Sequence, residues 1–455
     1  MAAVAVPATA ERTGVVSGMN AVLDWDLVHG TVPIAATVTG LAAGAVLLFR
    51  RDRRWWSRTV PITAAACAVA ALLLWLVVDV LWKPFPDPVP RRVIAWIGVA
   101  LFGAGLAIVW LRRSRWSRRG VSVLAATVVV LAAGANINAH YGHFPTLRAA
   151  LHLPPANEVP FSSLGPATGP TVPRSPGRAL LDGWQPPPTM PENGVVTQVS
   201  IPAAASHFSV TRDAYLYLPP AYRISPRPLL PVLVLLHGQP GAPRDWIDGG
   251  GIAAMMDRFA AAHRGLAPVV VIPDSTGSAF GNPLCLDSRL GRSETYLTGD
   301  VPAWIARNLQ VDPDTRTWAV GGYSYGGTCA LQLALRRPEV FPTFVDISGQ
   351  DEPTLGSRAK TVDEAFGGDE GAFRQVNPRD LLATREFPGS AGVISVGESD
   401  SEFRPQQQRV FEAARRNGID VTWRQTPGSH NWQAWSAGLS DSLDWLTSRM
   451  GLVQR

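Results

Sequence analysis

Four long apolar stretches occupy the first third of the chain, at residues 33–49, 60–82, 93–111 and 121–139. A helix that crosses a bilayer needs about 20 largely apolar residues, within a range of roughly 17–25, and all four stretches meet that length. Arginine-rich segments separate the first stretch from the second and the third from the fourth. Buried helices of a soluble protein are the alternative, and the charged segments between the runs argue against it. The sequence therefore predicts an all-α region of four transmembrane helices.

The charge of this region predicts its orientation. Residues 1–144 contain 14 Lys and Arg against six Asp and Glu, whereas residues 145–455 contain 27 against 30. Ten of the arginines lie in the loops at 50–58 and 112–119, and such loops remain cytoplasmic. We therefore expect a multi-pass plasma-membrane protein whose N-terminus and C-terminal domain are extracytoplasmic. Because the basic residues cluster in these loops, the net charge of +5 does not indicate a nucleic-acid partner.

The remainder of the chain has two parts that differ in composition and in hydrophobic pattern. Residues 145–194 are rich in proline and have no hydrophobic period, which predicts an extended linker after a membrane domain at 1–144. From 195 to 455, short β-rich runs alternate with helical ones, which is typical of an α/β domain with a mainly parallel sheet between helices. The predicted strands are 195–201, 214–218, 231–237, 269–272, 318–320, 341–347, 392–396 and 421–425, and the predicted helices are 252–262, 299–308, 325–335, 404–417 and 431–450.

A nucleophile candidate follows the fifth predicted strand. Gly322, Ser324 and Gly326 have the G-x-S-x-G spacing of a sharp strand-to-helix turn, and helix-forming residues follow at once. Such a turn exposes the serine hydroxyl and places the next backbone N–H at a helix N-terminus. The motif also occurs by chance in glycine-rich chains, so the strand before it and the helix after it are the necessary context. Ser324 is the predicted nucleophile.

An oxyanion hole is predicted where an earlier strand ends. The run 231–236 leads into a His-Gly-Gln-Pro turn, and the backbone N–H of Gln239 can act with that of Tyr325 on a substrate oxyanion. Pro240 has no N–H and cannot donate. His237, which ends the strand, is an alternative base, although a histidine in this position more often orients the loop.

The base and the acid of a catalytic triad should follow the serine in the order acid, then histidine. Only His430, in a turn after the last predicted strand, lies beyond Ser324 among the histidines. Three carboxylates follow the penultimate strand, and a carboxylate there can hold the imidazole of a histidine in the next loop. Asp400 is the preferred acid, and Glu402 and then Glu398 are the alternatives.

The cysteines offer one possible crosslink. If the domain is extracytoplasmic, Cys285 and Cys329 can form a disulfide between a long loop and the helix after Ser324, and two unpaired buried thiols are the alternative. No Cys and His cluster has metal-ligand spacing, and there is no phosphate-binding glycine loop. We expect no metal and no cofactor.

Four segments carry a resemblance to a known family: LLHG at 235–238, GYSYGG at 322–327, GESD at 397–400 and GSHNW at 428–432. Over residues 195–450 the chain resembles the esterase D-like branch of the α/β-hydrolases, which includes carbohydrate-ester esterases, enterochelin-type esterases and mycobacterial mycolyltransferases. The resemblance implies an α/β-hydrolase fold and favours Asp400, whereas a mycolyltransferase-like arrangement would favour Glu402. Asn431 and the Gln239-Pro240 pair depart from the family pattern, and the second departure puts the first oxyanion donor in doubt.

These observations predict a membrane-anchored serine esterase that hydrolyses a carboxylic ester of a membrane or envelope lipid through an acyl-enzyme. An acyltransferase of the mycolyltransferase type would use the same triad. A non-catalytic membrane receptor or scaffold is the alternative of another class, and the complete Ser324, His430 and Asp400 set argues against it. The sequence predicts no oligomeric state.

Overall fold

The chain folds as two compact units, Met1–Pro154 and Pro155–Arg455. The computed structural model describes residues 21–82, 88–113, 116–165, 168–210 and 212–454, and of Arg113 the backbone alone. The N-terminal tail and Arg115, which form part of the orientation argument, lie outside the described residues.

Four helices of the first unit are long and apolar enough to cross a membrane, which confirms the prediction of an all-α region with four apolar helices. They are α1 (Thr31–Leu48), α2 (Trp55–Trp82), α3 (Arg91–Arg113) and α4 (Trp116–Tyr141). The first and last turns of α2, Trp55–Thr59 and Leu76–Trp82, are π-helical. A short helix, Leu147–Ala150, follows α4.

Small residues and polar side chains hold α1 against α4. A Cβ at Gly40 would collide with the side chain of Ala132, so the glycine lets the two helices approach closely. Beside this contact the Asn136 amide donates to the Thr37 hydroxyl at 2.9 Å. Apolar surface gives helices little reason to associate in lipid, and close packing with a few hydrogen bonds supplies the association instead.

The second unit is built on an eight-stranded sheet. All eight predicted strands are present, most of them within two residues of the predicted bounds. They are β1 (Val195–Val199), β2 (Ala214–Leu218), β3 (Val232–Leu236), β4 (Val269–Ile272), β5 (Ala319–Tyr323), β6 (Thr343–Ile347), β7 (Ala391–Gly397) and β8 (Asp420–Thr426).

The strand order is β1-β2-β4-β3-β5-β6-β7-β8. β2 runs antiparallel to both of its neighbours, and the other neighbouring pairs are parallel. Every residue of β2 to β7 is buried, which explains why these strands read as continuous apolar runs rather than as alternating patterns. The carboxyl ends of β3, β5, β7 and β8 therefore meet along one edge of the sheet.

Helices cover the sheet. The predicted helix at 431–450 is two helices, because the chain turns at Asp441 and Ser442, and the Ser442 hydroxyl donates to the Gly438 carbonyl at 2.6 Å. The α-helices are Leu180–Gly183, Asp245–Asp248, Ile252–Ala262, Ser293–Thr295, Val301–Asn308, Tyr325–Arg336, Arg358–Phe366, Glu370–Arg374, Pro378–Thr384, Phe403–Arg416, Trp432–Ser440 and Leu443–Arg449. Short 3-10 turns occur at Phe161–Leu164, Pro220–Arg223 and Thr315–Thr317, and a π-helical turn at Tyr296–Asp300. Two-residue ladders pair Thr171–Val172 with Arg227–Pro228 and Asp287–Ser288 with Gly291–Arg292.

The structure differs from the predicted linker at 145–194. From residue 155 onward this segment belongs to the second unit. Val159 donates its backbone N–H to Val196 of β1 at 2.9 Å, and Leu180 donates to Gly451 at 3.0 Å. Leu180 and Trp184 are buried. Apolar side chains spaced between the prolines anchor the segment to the domain, and this signal is hidden in a composition that otherwise indicates an extended chain.

Candidate active site

Ser324 occupies the sharp turn between β5 and the helix Tyr325–Arg336. Its backbone adopts φ +55° and ψ −123°, a conformation that residues other than glycine rarely adopt. The turn is held by the Ser324 N–H, which donates to the Ile347 carbonyl of β6 at 2.8 Å. The serine is thereby fixed at the carboxyl edge of the sheet.

The glycines of the motif are required by the backbone around them. A Cβ at Gly322 would collide with the backbone of Gly326, and a Cβ at Gly326 would collide with the Leu236 carbonyl at the end of β3. The turn can be this tight only because both positions lack a side chain. The G-x-S-x-G spacing is therefore a packing requirement of this turn.

Ser324, His430 and Asp400 form one hydrogen-bonded chain. The His430 Nε2 lies 3.0 Å from the Ser324 Oγ, and its Nδ1 lies 3.0 Å from an Asp400 carboxylate oxygen. His430 is in the loop after β8, and Asp400 is in the loop after β7. The Asp400 side chain is 2% exposed and that of His430 is 12% exposed. This arrangement can move a proton from the serine to the imidazole.

Glu398 and Glu402, the alternative acids, are both exposed. Asp400 faces inward because its second carboxylate oxygen accepts the backbone N–H of Phe403 at 2.9 Å, at the start of the helix Phe403–Arg416. The structure therefore brings Asp400, and neither glutamate, to the imidazole.

Phe403 and Trp435 enclose the imidazole of His430. The Phe403 ring is stacked on it with centroids 4.0 Å apart and planes inclined by 16°. The Trp435 ring lies nearly perpendicular to it at a centroid distance of 5.0 Å. Both aromatic side chains restrict the rotation of the imidazole and exclude water from its faces. The sequence reasoning did not identify either residue, although both lie within five residues of a predicted triad member.

The two predicted oxyanion donors lie at the ends of β3 and β5. The Tyr325 N–H is at the first position of its helix, where backbone N–H groups have no helical acceptor. On the opposite side, Gln239 follows the end of β3 by three residues, and Pro240, which has no N–H, follows it through a cis peptide bond. The Gln239 N–H remains the predicted donor on this side.

The loop at 279–280 is hydrogen-bonded to the turn at 237–241, which is called the oxyanion turn below. The Gly241 N–H donates to the Ala279 carbonyl at 3.1 Å, and the Gln239 side-chain amide donates to the Phe280 carbonyl at 3.3 Å. The Phe280 side chain itself is 68% exposed. This exposed phenyl ring belongs to the loop that contacts the oxyanion turn.

His237 belongs to a buried network instead of the Ser324 chain. Its Nε2 lies 3.3 Å from the Ser275 hydroxyl and 3.7 Å from an Asp274 carboxylate oxygen. Arg212 also binds Asp274 and donates to the Gly241 carbonyl. Burial alone would raise the pKa of Asp274, but the neighbouring His237 and the hydrogen bonds from the Arg212 guanidinium hold that pKa below its usual value. The network braces the oxyanion turn with an ionised carboxylate, which sequence spacing could not reveal.

Cys285 and Cys329 are joined in a disulfide with their Cα atoms 5.5 Å apart. The same loop is attached to the nucleophile turn by a hydrogen bond of 3.0 Å from the Cys285 N–H to the Tyr325 hydroxyl. Of the two arrangements that the sequence allowed, the structure has the bonded one. The loop that contacts the oxyanion turn is thus tied to the helix after Ser324.

A second acidic residue lies behind the nucleophile turn. Asp346, in β6, is fully buried and accepts hydrogen bonds at 3.1 Å from the Gly349 N–H and from the Gln407 amide. Burial raises the pKa of Asp346 to about 7, although both hydrogen bonds favour the ionised form. Its carboxyl group has no hydrogen bond with His430.

Within the described ranges, no group of three or more His, Cys, Asp or Glu side chains is placed to hold a metal ion. The described site contains a hydroxyl, an imidazole and a carboxylate in one hydrogen-bonded chain.

The sheet order, the turn at Ser324 and the hydrogen-bonded chain define an α/β-hydrolase fold. The family described as "Putative esterase" matches residues 207–446, and the chain belongs to this family. The match confirms the resemblance to the esterase branch of the α/β-hydrolases, and it extends over most of the second unit.

A relative from Corynebacterium glutamicum, an uncharacterized protein, is 36% identical over 436 residues, which are 93% of this chain and 96% of the relative. Since that alignment is longer than the second unit, it includes most of the first unit and its apolar helices as well. An acetyl esterase of Caldicellulosiruptor saccharolyticus is 23% identical over 236 residues, which are 48% of this chain and 84% of the relative.

Several solved structures are similar to part of this chain. A ferulic acid esterase covers 56% of this chain and 97% of its own, with a TM-score of 0.47 and 19% identity. An S-formylglutathione hydrolase from Agrobacterium tumefaciens covers 57% and 97%, with a TM-score of 0.46 and 22% identity. MPT51 (FbpC1) of Mycobacterium tuberculosis covers 55% and 97%, with a TM-score of 0.41 and 18% identity.

Proposed function

We propose that the protein is a membrane-anchored serine esterase that hydrolyses a carboxylic ester of a membrane or envelope lipid. The observation that carries this proposal is the hydrogen-bonded chain from Ser324 through His430 to Asp400, at 3.0 Å for each link. Membership of an esterase family agrees with it.

The proposed reaction proceeds through an acyl-enzyme. His430 takes the proton of the Ser324 hydroxyl as its oxygen attacks the ester carbonyl, and the N–H groups of Gln239 and Tyr325 stabilise the oxyanion. His430 then donates the proton to the leaving alcohol. Water attacks the acyl-enzyme, His430 accepts its proton, and the carboxylic acid leaves as Ser324 is restored. Asp400 holds the imidazole in the required tautomer and stabilises the imidazolium.

Two features support a lipid ester as substrate. The first unit has four helices that are long and apolar enough to cross a bilayer, which would keep the enzyme near lipid head groups. Phe280 and Leu290 are the large apolar side chains that are exposed in the described part of the second unit, and Phe280 adjoins the oxyanion turn. An acyl chain bound at Ser324 could extend over this ring.

An extracytoplasmic position of the second unit is part of the proposal. The basic loops at 50–58 and 112–119 would be cytoplasmic by the positive-inside rule, so an even number of spans leads the chain back outside. The disulfide between Cys285 and Cys329 agrees with this position, because disulfides persist in oxidising compartments.

The proposal is tested by comparing lipid extracts of cells that produce the wild type or Ser324→Ala at equal levels. We expect one class of lipid ester to decrease, and its acid and alcohol products to increase, only with the wild type. Unchanged lipid esters would contradict the substrate class. If the acyl group moved to another alcohol in place of water, the enzyme would be an acyltransferase.

A protease-protection assay on intact spheroplasts tests the orientation. Digestion of the second unit from the outside is expected, and digestion only after the membrane is opened would place Ser324 in the cytoplasm and contradict the proposed topology.

A further inference from the structure

The first unit contains a cavity of about 640 Å³ at one end of the helix bundle. It lies where α1 ends and α4 begins, and Trp110 near the end of α3 also lines it. The cavity is therefore at the end of the bundle where the arginine-rich loops emerge.

Three arginines line this cavity, namely Arg50, Arg51 and Arg118. In the part of the chain that the structure describes, none of the three forms an ion pair with a carboxylate. Three arginines at one cavity concentrate positive charge there, and this charge would attract a bound anion. The cavity thus favours an anionic occupant.

Arg50 is held in place without being neutralised. Its guanidinium lies 5.2 Å from the ring centroid of Trp55 and 5.1 Å from that of Trp110. Trp110 is itself fixed, because its indole N–H donates to the Leu47 carbonyl at 2.9 Å. Contacts with aromatic rings restrict a guanidinium but leave its N–H groups free to bind oxygen atoms.

Apart from Ser122, the other residues that line the cavity are apolar. Val46 and Phe49 from the end of α1 and Val121 from α4 contribute to its walls, and these helices continue as apolar surface along the bundle. A simple inorganic anion would leave these walls without a partner. An amphiphilic anion would satisfy both the arginines and the apolar walls.

We propose that this cavity binds the phosphate head group of an anionic phospholipid, with Arg50, Arg51 and Arg118 around the phosphate oxygens and the acyl chains along α1 and α4. Planar guanidinium groups bind phosphate through paired hydrogen bonds, and basic pockets between membrane helices are a known setting for lipid head groups. The inference concerns the membrane unit and does not depend on the proposed esterase reaction.

The test uses the full chain in nanodiscs of phosphatidylcholine with increasing phosphatidylglycerol, and native mass spectrometry counts the lipid that remains bound. We expect phosphatidylglycerol to bind at least about tenfold more tightly than phosphatidylcholine. Equal retention of the two lipids would overturn the proposal. If inorganic phosphate displaced phosphatidylglycerol at equal concentration, the site would be a simple anion site and the lipid assignment would be wrong.

The variant Arg50→Gln/Arg118→Gln should lose this preference. The matched control is Arg53→Gln/Arg112→Gln, which removes the same charge from the same two loops at positions that do not line the cavity. An equal loss in the control would assign the preference to general surface charge and overturn the proposal.

A second measurement needs no variant and so does not depend on folding of the mutants. Wild-type protein is irradiated with a phosphatidylglycerol that has a photoreactive group at its phosphate end. Crosslinks are expected in residues 45–51 and 110–122, and crosslinks confined to other parts of the bundle would contradict the site.

Discussion

The ring of Phe403 lies flat against the imidazole of His430, with centroids 4.0 Å apart and an angle of 16° between the planes. The first residue of a helix thereby orients a histidine that is 27 positions later in the chain. The backbone N–H of the same residue donates to an Asp400 carboxylate oxygen at 2.9 Å, so Phe403 positions both His430 and Asp400.

Replacing Phe403 with leucine should slow ester hydrolysis with little change in KM. The imidazole would gain freedom to rotate away from the Ser324 Oγ, and such misplacement of a catalytic group costs up to about 100-fold in rate. We expect kcat to fall by about tenfold or more. The control is Phe411→Leu, which changes a phenyl ring of the same helix that packs on Trp423 of β8. An equal loss of kcat in the control would assign the effect to general destabilisation.

Removal of the Asp400 carboxylate should be far more harmful than removal of either neighbouring glutamate. Asp400→Asn keeps the shape but favours the wrong imidazole tautomer, so kcat should fall by roughly 10³–10⁴. Glu398→Gln and Glu402→Gln should remain within about twofold of the wild type, because surface charges contribute little. A larger loss in Glu402→Gln than in Asp400→Asn would reassign the acid.

Phe280 should matter for long acyl groups and little for short ones. In Phe280→Ser, the KM for a long-chain nitrophenyl ester should rise by about tenfold, since a buried chain loses roughly 1.5 kcal/mol or more of apolar contact. The KM for the acetyl ester should stay the same. Leu290→Ser, also at an exposed apolar residue, is the control. If both variants behave alike for both esters, Phe280 does not contact the acyl chain.

Loss of the Cys285–Cys329 disulfide should destabilise the second unit. The bond closes a loop with a sequence separation of 44 residues, for which about 2–4 kcal/mol is typical. The melting temperature of Cys285→Ser/Cys329→Ser in detergent should decrease, and a reducing agent should lower that of the wild type but have no further effect on the variant. The variant Cys67→Ser, in the first unit, should have the same melting temperature as the wild type.

Asp346 should make the fold less stable as the pH rises. Burial raises its pKa from 3.8 to about 7, so the folded state binds this proton more tightly than the unfolded chain does. The stability from this proton is complete below about pH 4 and is lost as the pH rises through about 7, by up to about 4 kcal/mol.

Asp346→Asn cannot titrate, so its melting temperature should decrease less than that of the wild type between pH 5 and pH 8. Glu412→Gln, at an exposed carboxylate, should follow the wild type. Equal pH dependence in wild type and Asp346→Asn would contradict the titration of Asp346 in this pH range.

Features set by local sequence could be predicted well. Apolar runs identified the four long apolar helices and the eight strands. The G-x-S-x-G turn could be recognised because the backbone of Leu236 and Gly326 leaves no room for a side chain at its glycines. Chain order then pointed to His430 and Asp400, because strands that end at one edge bring their loops together.

Features set by packing between distant segments could not be predicted. Arg212 and Asp274 are 62 residues apart, and no local pattern links them or relates them to His237. The segment after residue 155 has the composition of a linker, yet Leu180 and Trp184 bury their side chains against the second unit. In both cases the contacting residues come together only in the tertiary fold, and the hydrophobic periodicity of the sequence does not indicate such contacts.

The central claim is that Ser324 is the nucleophile of an esterase, and covalent labelling tests it most directly. Purified wild type and Ser324→Ala are incubated with a fluorophosphonate, and the modified residue is located by mass spectrometry of the peptides. We expect one adduct on the wild type, at Ser324, and none on Ser324→Ala. Equal labelling of the two proteins, or an adduct at another residue of the wild type, would contradict the account.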